Sequence, residues 1–95
     1  MEWEWDDAKN TANTKKHGIR FEEALQVFTD PDGIEKEDLG HSSIMERRLW
    51  RTGTLKGGRV VTVVYTLIGN RIRIISAQER RRERKEYEKA KKEKE

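Results

Sequence analysis

Between Arg59 and Ala77 the chain reads RVVTVVYTLIGNRIRIISA, and nine of these nineteen residues are Val, Ile or Leu. Two β-branched runs flank a Gly69-Asn70 pair, which takes positive φ cheaply and closes a tight turn. The pattern predicts a β-hairpin with strands over residues 59–67 and 71–77. Alternation along the second strand puts Ile72, Ile74 and Ser76 on one face and Arg71, Arg73 and Ile75 on the other. Such a hairpin must be covered by the rest of the chain on its apolar side. Its arginines need a role.

A chain of 95 residues with three Trp, two Tyr and two Phe has material for one domain and one modest core, expected over residues 1–95. No apolar run approaches the ~20 residues that span a bilayer, and none near the start resembles a signal peptide, so a cytoplasmic protein is expected. The absence of cysteine rules out disulfides and thiolate chemistry. Charge is unevenly spread. Residues 1–40 hold five Lys/Arg against eleven Asp/Glu (−6), and residues 41–95 hold sixteen against seven (+9). One surface suited to polyanions is the sharper reading of that asymmetry, and a solvated domain with charges paired across the fold is the plainer one.

Met1 to Trp5 alternates acid and indole, predicting a short edge strand with Trp3 and Trp5 facing inward. Asp6 or Asp7 can cap a helix running to His17 and ended by Gly18. Asn10, Thr11, Asn13 and Thr14 are weak helix formers, so packing must hold this helix or its polar residues have another task. Lys15, Lys16 and His17 in its last turn suit the helix dipole or a polyanion. Phe21, Ala24, Leu25 and Phe28 recur at helical spacing, and Asp30-Pro31-Asp32-Gly33 ends that second helix. A brief strand over 34–38, a loop through His41, a strand over 44–53 and a turn over 54–58 then lead into the hairpin, as an antiparallel meander. In the 44–53 strand, Arg48, Trp50 and Thr52 share one face and Arg47, Leu49 and Arg51 the other. Residues 78–95 form a highly charged helix with little apolar stripe beyond Tyr87 and Ala90, fraying from Lys91.

No phosphate-binding glycine loop is present, and His17 and His41 have no metal-ligand spacing, so no metal or cofactor is expected. RNA cleavage through the ribose 2′-OH remains open. It needs only a base, an acid and cations around the phosphorane, roles that His, Tyr, Lys and Arg can fill. His41, Arg48, Tyr65, Arg71 and Arg73 fall on one sheet or its rim. The same basic surface also suits a non-catalytic module that binds nucleic acid or protein through the sheet face and C-terminal helix.

Several stretches resemble, in one order over about residues 2–88, the BrnT family of type II toxins. They are Trp3-Glu4-Trp5-Asp6, Lys9, Asn13, Lys16-His17-Gly18, Phe21-Glu22-Glu23-Ala24, Val27-Phe28-Thr29-Asp30-Pro31, His41-Ser42, Gly58-Arg59, Val63-Val64-Tyr65-Thr66 and Arg71 to Ala77. The resemblance implies an α+β fold of the RelE-like kind: two N-terminal helices packed on a curved antiparallel sheet, plus a C-terminal helix. It also implies a metal-independent endoribonuclease that inhibits translation and is neutralised by a BrnA-like ribbon-helix-helix antitoxin, through which DNA is bound. On this reading His41, Arg48, Tyr65 and Arg73 are catalytic, and Lys16, His17, Arg71, Arg80 and Arg81 contact RNA. Two positions depart from the family pattern. Arg20 stands where a small polar helix cap is usual, and Gln78 where an arginine is usual.

Overall fold

The structure, a computed structural model, describes residues 2–95. The expected hairpin forms as β4 (Val60–Ile68) and β5 (Arg71–Gln78), joined through Gly69 at φ 58°. With β1 (Glu2–Glu4), β2 (Ile34–Glu37) and β3 (Arg47–Thr54) it builds one sheet in the order β1-β5-β4-β3-β2. The pairs β2–β3, β3–β4 and β4–β5 are antiparallel, as the meander predicts. β1, however, runs parallel to β5, so the sheet is mixed and not wholly antiparallel. The pairing sets Glu2 opposite Arg71 and Glu4 opposite Arg73, and Glu4 bonds both arginines. Charge complementarity therefore fits β1 to this edge, with a direction that local sequence does not encode.

Helix α1 (Asp7–His17) has the predicted ends: Asp6 Oδ1 accepts the Ala8 and Lys9 N–H groups, and Gly18 closes it at φ 68°. Its poor interior does have another task. The buried Asn13 amide donates to Ile19 O (2.9 Å) and Ala77 O (2.8 Å) and accepts the Ala77 N–H (3.1 Å). It thus mimics a neighbouring strand where β1 has already ended. Asn10 Oδ1 likewise accepts the Phe21 N–H, and Glu23 accepts the Arg20 N–H. These side chains satisfy the next helix start despite Arg20.

That next helix is shorter than its periodicity predicts. Only α2 (Phe21–Ala24) is α-helical; Leu25–Thr29 tightens to a 3₁₀ turn. The turn is pressed on β3, where a Cβ at Gly53 would stand 3.0 Å from Val27 O, and Arg51 Nε donates to the same oxygen. Ile19, Phe21, Ala24 and Val27 pack on Leu49, Val61, Val63, Tyr65, Ile72, Ile74 and Ala77 to make the core. Trp3 closes its margin edge-on to Phe28 at 4.7 Å but stays over a third exposed, and Trp5, outside β1, packs on Phe21. Both indoles thus lie on the core side, with only part of Trp3 covered.

The last helix, α3 (Arg81–Glu93), begins three residues later than predicted, because Gln78 stays paired with Thr62 and Arg80 is extended. Lys91 to Glu93 remain helical. Tyr87 fastens it to the opposite sheet face: its hydroxyl donates to Asp30 Oδ2 (2.6 Å) and lies 2.7 Å from Thr54 Oγ1. Packing and these bonds hold a helix whose own surface pairs are weak.

Candidate active site

The sheet face away from α1 and α2 is built by alternation. β3 turns out Arg48, Trp50 and Thr52, β4 turns out Val64 and Thr66, and β5 turns out Arg71 and Arg73. The register aligns Arg48 with Thr66 and Thr66 with Arg73 in one cross-strand row. A bulge beside Tyr65 leaves Ile75 unpaired and sets Ser76 opposite Val64. Ser76 therefore shares the face of Arg73, contrary to simple alternation, and Ala77 takes the core side. α3 covers the Thr52–Thr62 end of this face, where the two hydroxyls bond each other at 2.8 Å. The Arg48 and Thr66 end lies beyond it, with Trp50 beside the start of α3.

At that end polar groups are buried without partners. Arg48 Nε, Trp50 Nε1 and Thr66 Oγ1 are the only buried side-chain polar atoms lacking a hydrogen bond among the described residues. Thr66 is 2% exposed. Native interiors seldom tolerate one such group per patch, since each forgoes about 1–3 kcal/mol. Three on adjacent positions of two strands make this patch the candidate place for an acceptor-rich ligand.

His41 stands at the rim. Its 3₁₀ turn (Leu39–His41) is tied to the Arg48 backbone: Asp38 N–H donates to Arg48 O (2.8 Å), and Arg48 N–H donates to Ser42 Oγ (2.9 Å). His41 Nδ1 lies 2.9 Å from Asp38 Oδ2. With Nδ1–H donated to the carboxylate, Nε2 is the free acceptor on a largely exposed ring.

The other expected residues divide. Arg73 shares the Arg48 row but forks onto Glu4 Oε2 at 3.1 and 2.8 Å, while Arg71 reaches Glu4 Oε1 at 3.3 Å. One carboxylate thus bridges both. Arg80 lies over the Trp50 ring at 4.2 Å and bonds Glu83 at 2.8 Å; Arg81 is exposed and makes no ion pair among the described residues. Lys16 and His17 line a separate groove of about 320 Å³ with Lys9, Ser76 and Gln78, on the far side of β5. Some three strand spacings, about 14 Å, separate it from the His41 loop. Gln78 faces these cations.

Tyr65 is not brought to the site. It projects from the core face, opposite to Arg48 and Arg73, packs edge-on to Phe28 at 5.1 Å and donates its hydroxyl to Glu35. Burial, reinforced by that bond and the Glu35 charge, raises its pKa well above the ordinary 10. A catalytic proton donor on the Arg48 face is therefore excluded for this side chain.

Sequence reasoning did not single out Asp38, Trp50, Thr66, Lys36 or Glu83. Asp38 three residues before His41 was a visible signal; the rest depend on cross-strand register. Glu83, 4% exposed at its side chain, accepts from Arg80 and from Lys36 Nζ (3.1 Å). Burial pushes its carboxyl up, but the bonds from Arg80 and Lys36 outweigh this and hold it below its ordinary value. No three His, Cys, Asp or Glu side chains converge as a metal site among the described residues. No helix among them is long and apolar enough to cross a membrane.

A family model described as "Ribonuclease toxin, BrnT, of type II toxin-antitoxin system" matches residues 5–86. The chain belongs to the BrnT family. The expected resemblance over residues 2–88 contains this span. BrnT membership makes the chain a ribonuclease toxin of a type II system, with an RNA target and an antitoxin partner. The 1.1 Å crystal structure of the Brucella abortus ribonuclease toxin BrnT aligns with a TM-score of 0.62 at 22% identity, covering 84% of this chain and 96% of that one. At that identity the likeness establishes the α+β fold. No curated protein matches the chain.

Proposed function

We propose that residues 1–95 act as one RelE-like toxin domain, a cytoplasmic metal-independent endoribonuclease that cleaves RNA at the Arg48–Thr66–Arg73 row and so halts translation. His41 Nε2 takes the ribose 2′-OH proton while Asp38 holds the ring through Nδ1. The 2′-oxygen attacks phosphorus, the P–O5′ bond breaks, and the departing 5′-oxygen is protonated from solvent at the open rim. Arg48 and Arg73 stabilise the extra charge of the phosphorane, Arg73 exchanging Glu4 for phosphate. Lys16, His17, Arg71, Arg80 and Arg81 serve the flanking RNA. A BrnA-like ribbon-helix-helix antitoxin neutralises the toxin and carries its DNA contacts.

The observation that carries this reading is the trio of orphaned buried polar atoms beside the Asp38–His41 pair. The chemistry itself needs only proton transfer and cations, which is the ground for proposing no metal. The test is to incubate purified protein with RNA in EDTA. Cleavage leaving 2′,3′-cyclic phosphate ends is expected, slowed roughly 10²–10⁴-fold in His41→Ala, the usual range for a general base. Intact RNA, or His41→Ala cutting at the wild-type rate, overturns the assignment. Salt-sensitive binding without turnover would identify the chain as a non-catalytic nucleic-acid-binding module instead.

A further inference from the structure

Next to the proposed phosphate row lies a groove of about 340 Å³ between β2, β3 and the start of α3, in the size range of small-ligand sites. Its charged lining is Lys36, Arg80 and Arg82 against Glu37, Asp38 and Glu83, three of each sign. A phosphate gains little from a lining that balances to zero, and the three carboxylates repel it. The groove is polar, neutral overall and floored by an aromatic ring. Those properties suit an uncharged, planar, hydrogen-bonding group.

The floor is itself a built stack. The Arg80 guanidinium centre lies 4.2 Å from the Trp50 ring centroid, and Glu83 Oε1 holds Arg80 Nε at 2.8 Å. Lys36 Nζ, bonded to the same buried carboxylate, lies 5.8 Å from the ring. Arg80 is thus fixed on one face by Trp50 and at its edge by Glu83, yet its side chain remains 35% exposed. A guanidinium held over an aromatic ring and still partly exposed to the groove can serve as a stacking surface for a second ring. Trp50 Nε1–H, buried and unpartnered, adds a donor to the same patch.

We propose that this groove is a nucleobase subsite, in which one unpaired base next to the cleaved bond stacks on Arg80 with Trp50 beneath it. The inference rests on the ribonuclease reading for its substrate class and adds what that reading lacks, a place for a base. Phosphate is held at the Arg48 row, and the base at Arg80. The Asp38 carboxylate lines the groove as an acceptor for the base's N–H groups, and Arg82 as a donor, while Glu83 stays occupied in holding Arg80 and Lys36.

The test uses the full chain and 2′-O-methyl oligoribonucleotides, which cannot be cleaved, so binding is read without turnover. One oligonucleotide carries every base and the others a single abasic residue scanned along it. In wild type, one abasic position is expected to weaken binding roughly 5- to 100-fold, the range supplied by one stacked base. Arg80→Lys keeps the charge but removes the plane. It should lose a similar factor on the complete oligonucleotide and nothing further on that abasic one. Trp50→Phe, which keeps a ring, should show the same coupling at smaller size. If the abasic penalties in Arg80→Lys and Trp50→Phe equal those of wild type at every position, the subsite does not exist. Coupling in a protein that never cuts RNA would retain the subsite and remove the ribonuclease reading; cutting without coupling does the reverse.

Discussion

On the side of the sheet that meets the N-terminal helices, Asn13 completes the open edge of β5, Asn10 and Glu23 satisfy the start of α2, and Arg51 ends on the Val27 carbonyl. On the opposite side, Arg48 Nε, Trp50 Nε1 and Thr66 Oγ1 are buried with nothing to bond. Both faces belong to the same strands. The first face uses its polar groups to hold the fold, and on the proposed ribonuclease reading the second keeps donors in reserve at a cost in stability. Proteins near their stability threshold commonly accept such a cost where a ligand is bound.

The largest effect should come from the satisfied face. Asn13→Ala orphans both Ala77 backbone groups and leaves Ile19 O only the long 3.4 Å bond from Thr14 Oγ1, and is expected to lower the unfolding free energy by about 3 kcal/mol in urea denaturation. A loss below about 1 kcal/mol would mean that water replaces the amide freely, and the contrast between the faces would dissolve.

Acid should come next, acting where α3 is clasped. Desolvation pushes Asp30 up, but bonds from Tyr87, Asp32 N–H and Thr54 N–H outweigh it, so its pKa lies below 3.8; that of Glu83 lies below 4.5. A depressed carboxyl adds stability that is complete above its unfolded pKa and withdrawn as pH falls through its folded one. Urea midpoints are therefore expected to hold from pH 7 to roughly pH 5 and to fall below that. Glu83→Gln should flatten part of the fall; an unchanged acid slope would show that the clasp is not responsible.

Thr66→Val sets stability against function. It deletes an unbonded hydroxyl at nearly constant shape, so it is expected to stabilise by up to about 1 kcal/mol while slowing RNA cleavage. Thr52→Val on the same face strands the Thr62 hydroxyl and is expected to destabilise by about 1 kcal/mol. Should thermal melts show both variants destabilised alike, Thr66 has a partner in solution and no reserve role. The smallest effect belongs to Glu4→Gln. Exposed pairs contribute roughly 0.2–1 kcal/mol, so freeing Arg71 and Arg73 should tighten RNA binding at most about fivefold. Weaker binding in this variant would mean that Glu4 orients Arg73 for phosphate and does not compete with it.

Much of the scaffold was legible because its signals are local. The Val/Ile runs about Gly69-Asn70 specify the hairpin, and Asp6 and Gly18 bound α1 at the predicted residues. The 3.6-residue pattern of Phe21, Ala24, Leu25 and Phe28 located the right face, but close approach of Gly53 to Val27 tightened its second half to 3₁₀. The site was only partly legible. Arg48, Arg73 and His41 share one region, yet Tyr65, four residues from Gly69 in the same hairpin, looks the other way. Residue type suggested chemistry for all four, whereas the face of each depends on register.

By itself, then, the sequence determined the hairpin, the caps of α1, the charged last helix and the family, since each rests on neighbours within a few residues or on a pattern along the chain. Only the tertiary structure decided that β1 lies parallel to β5, that Glu4 bridges two arginines, that the Ile75 bulge turns Ser76 outward and that Trp50 lies under Arg80. These outcomes join residues up to about seventy positions apart, and a one-residue change of register reverses every side chain of a strand.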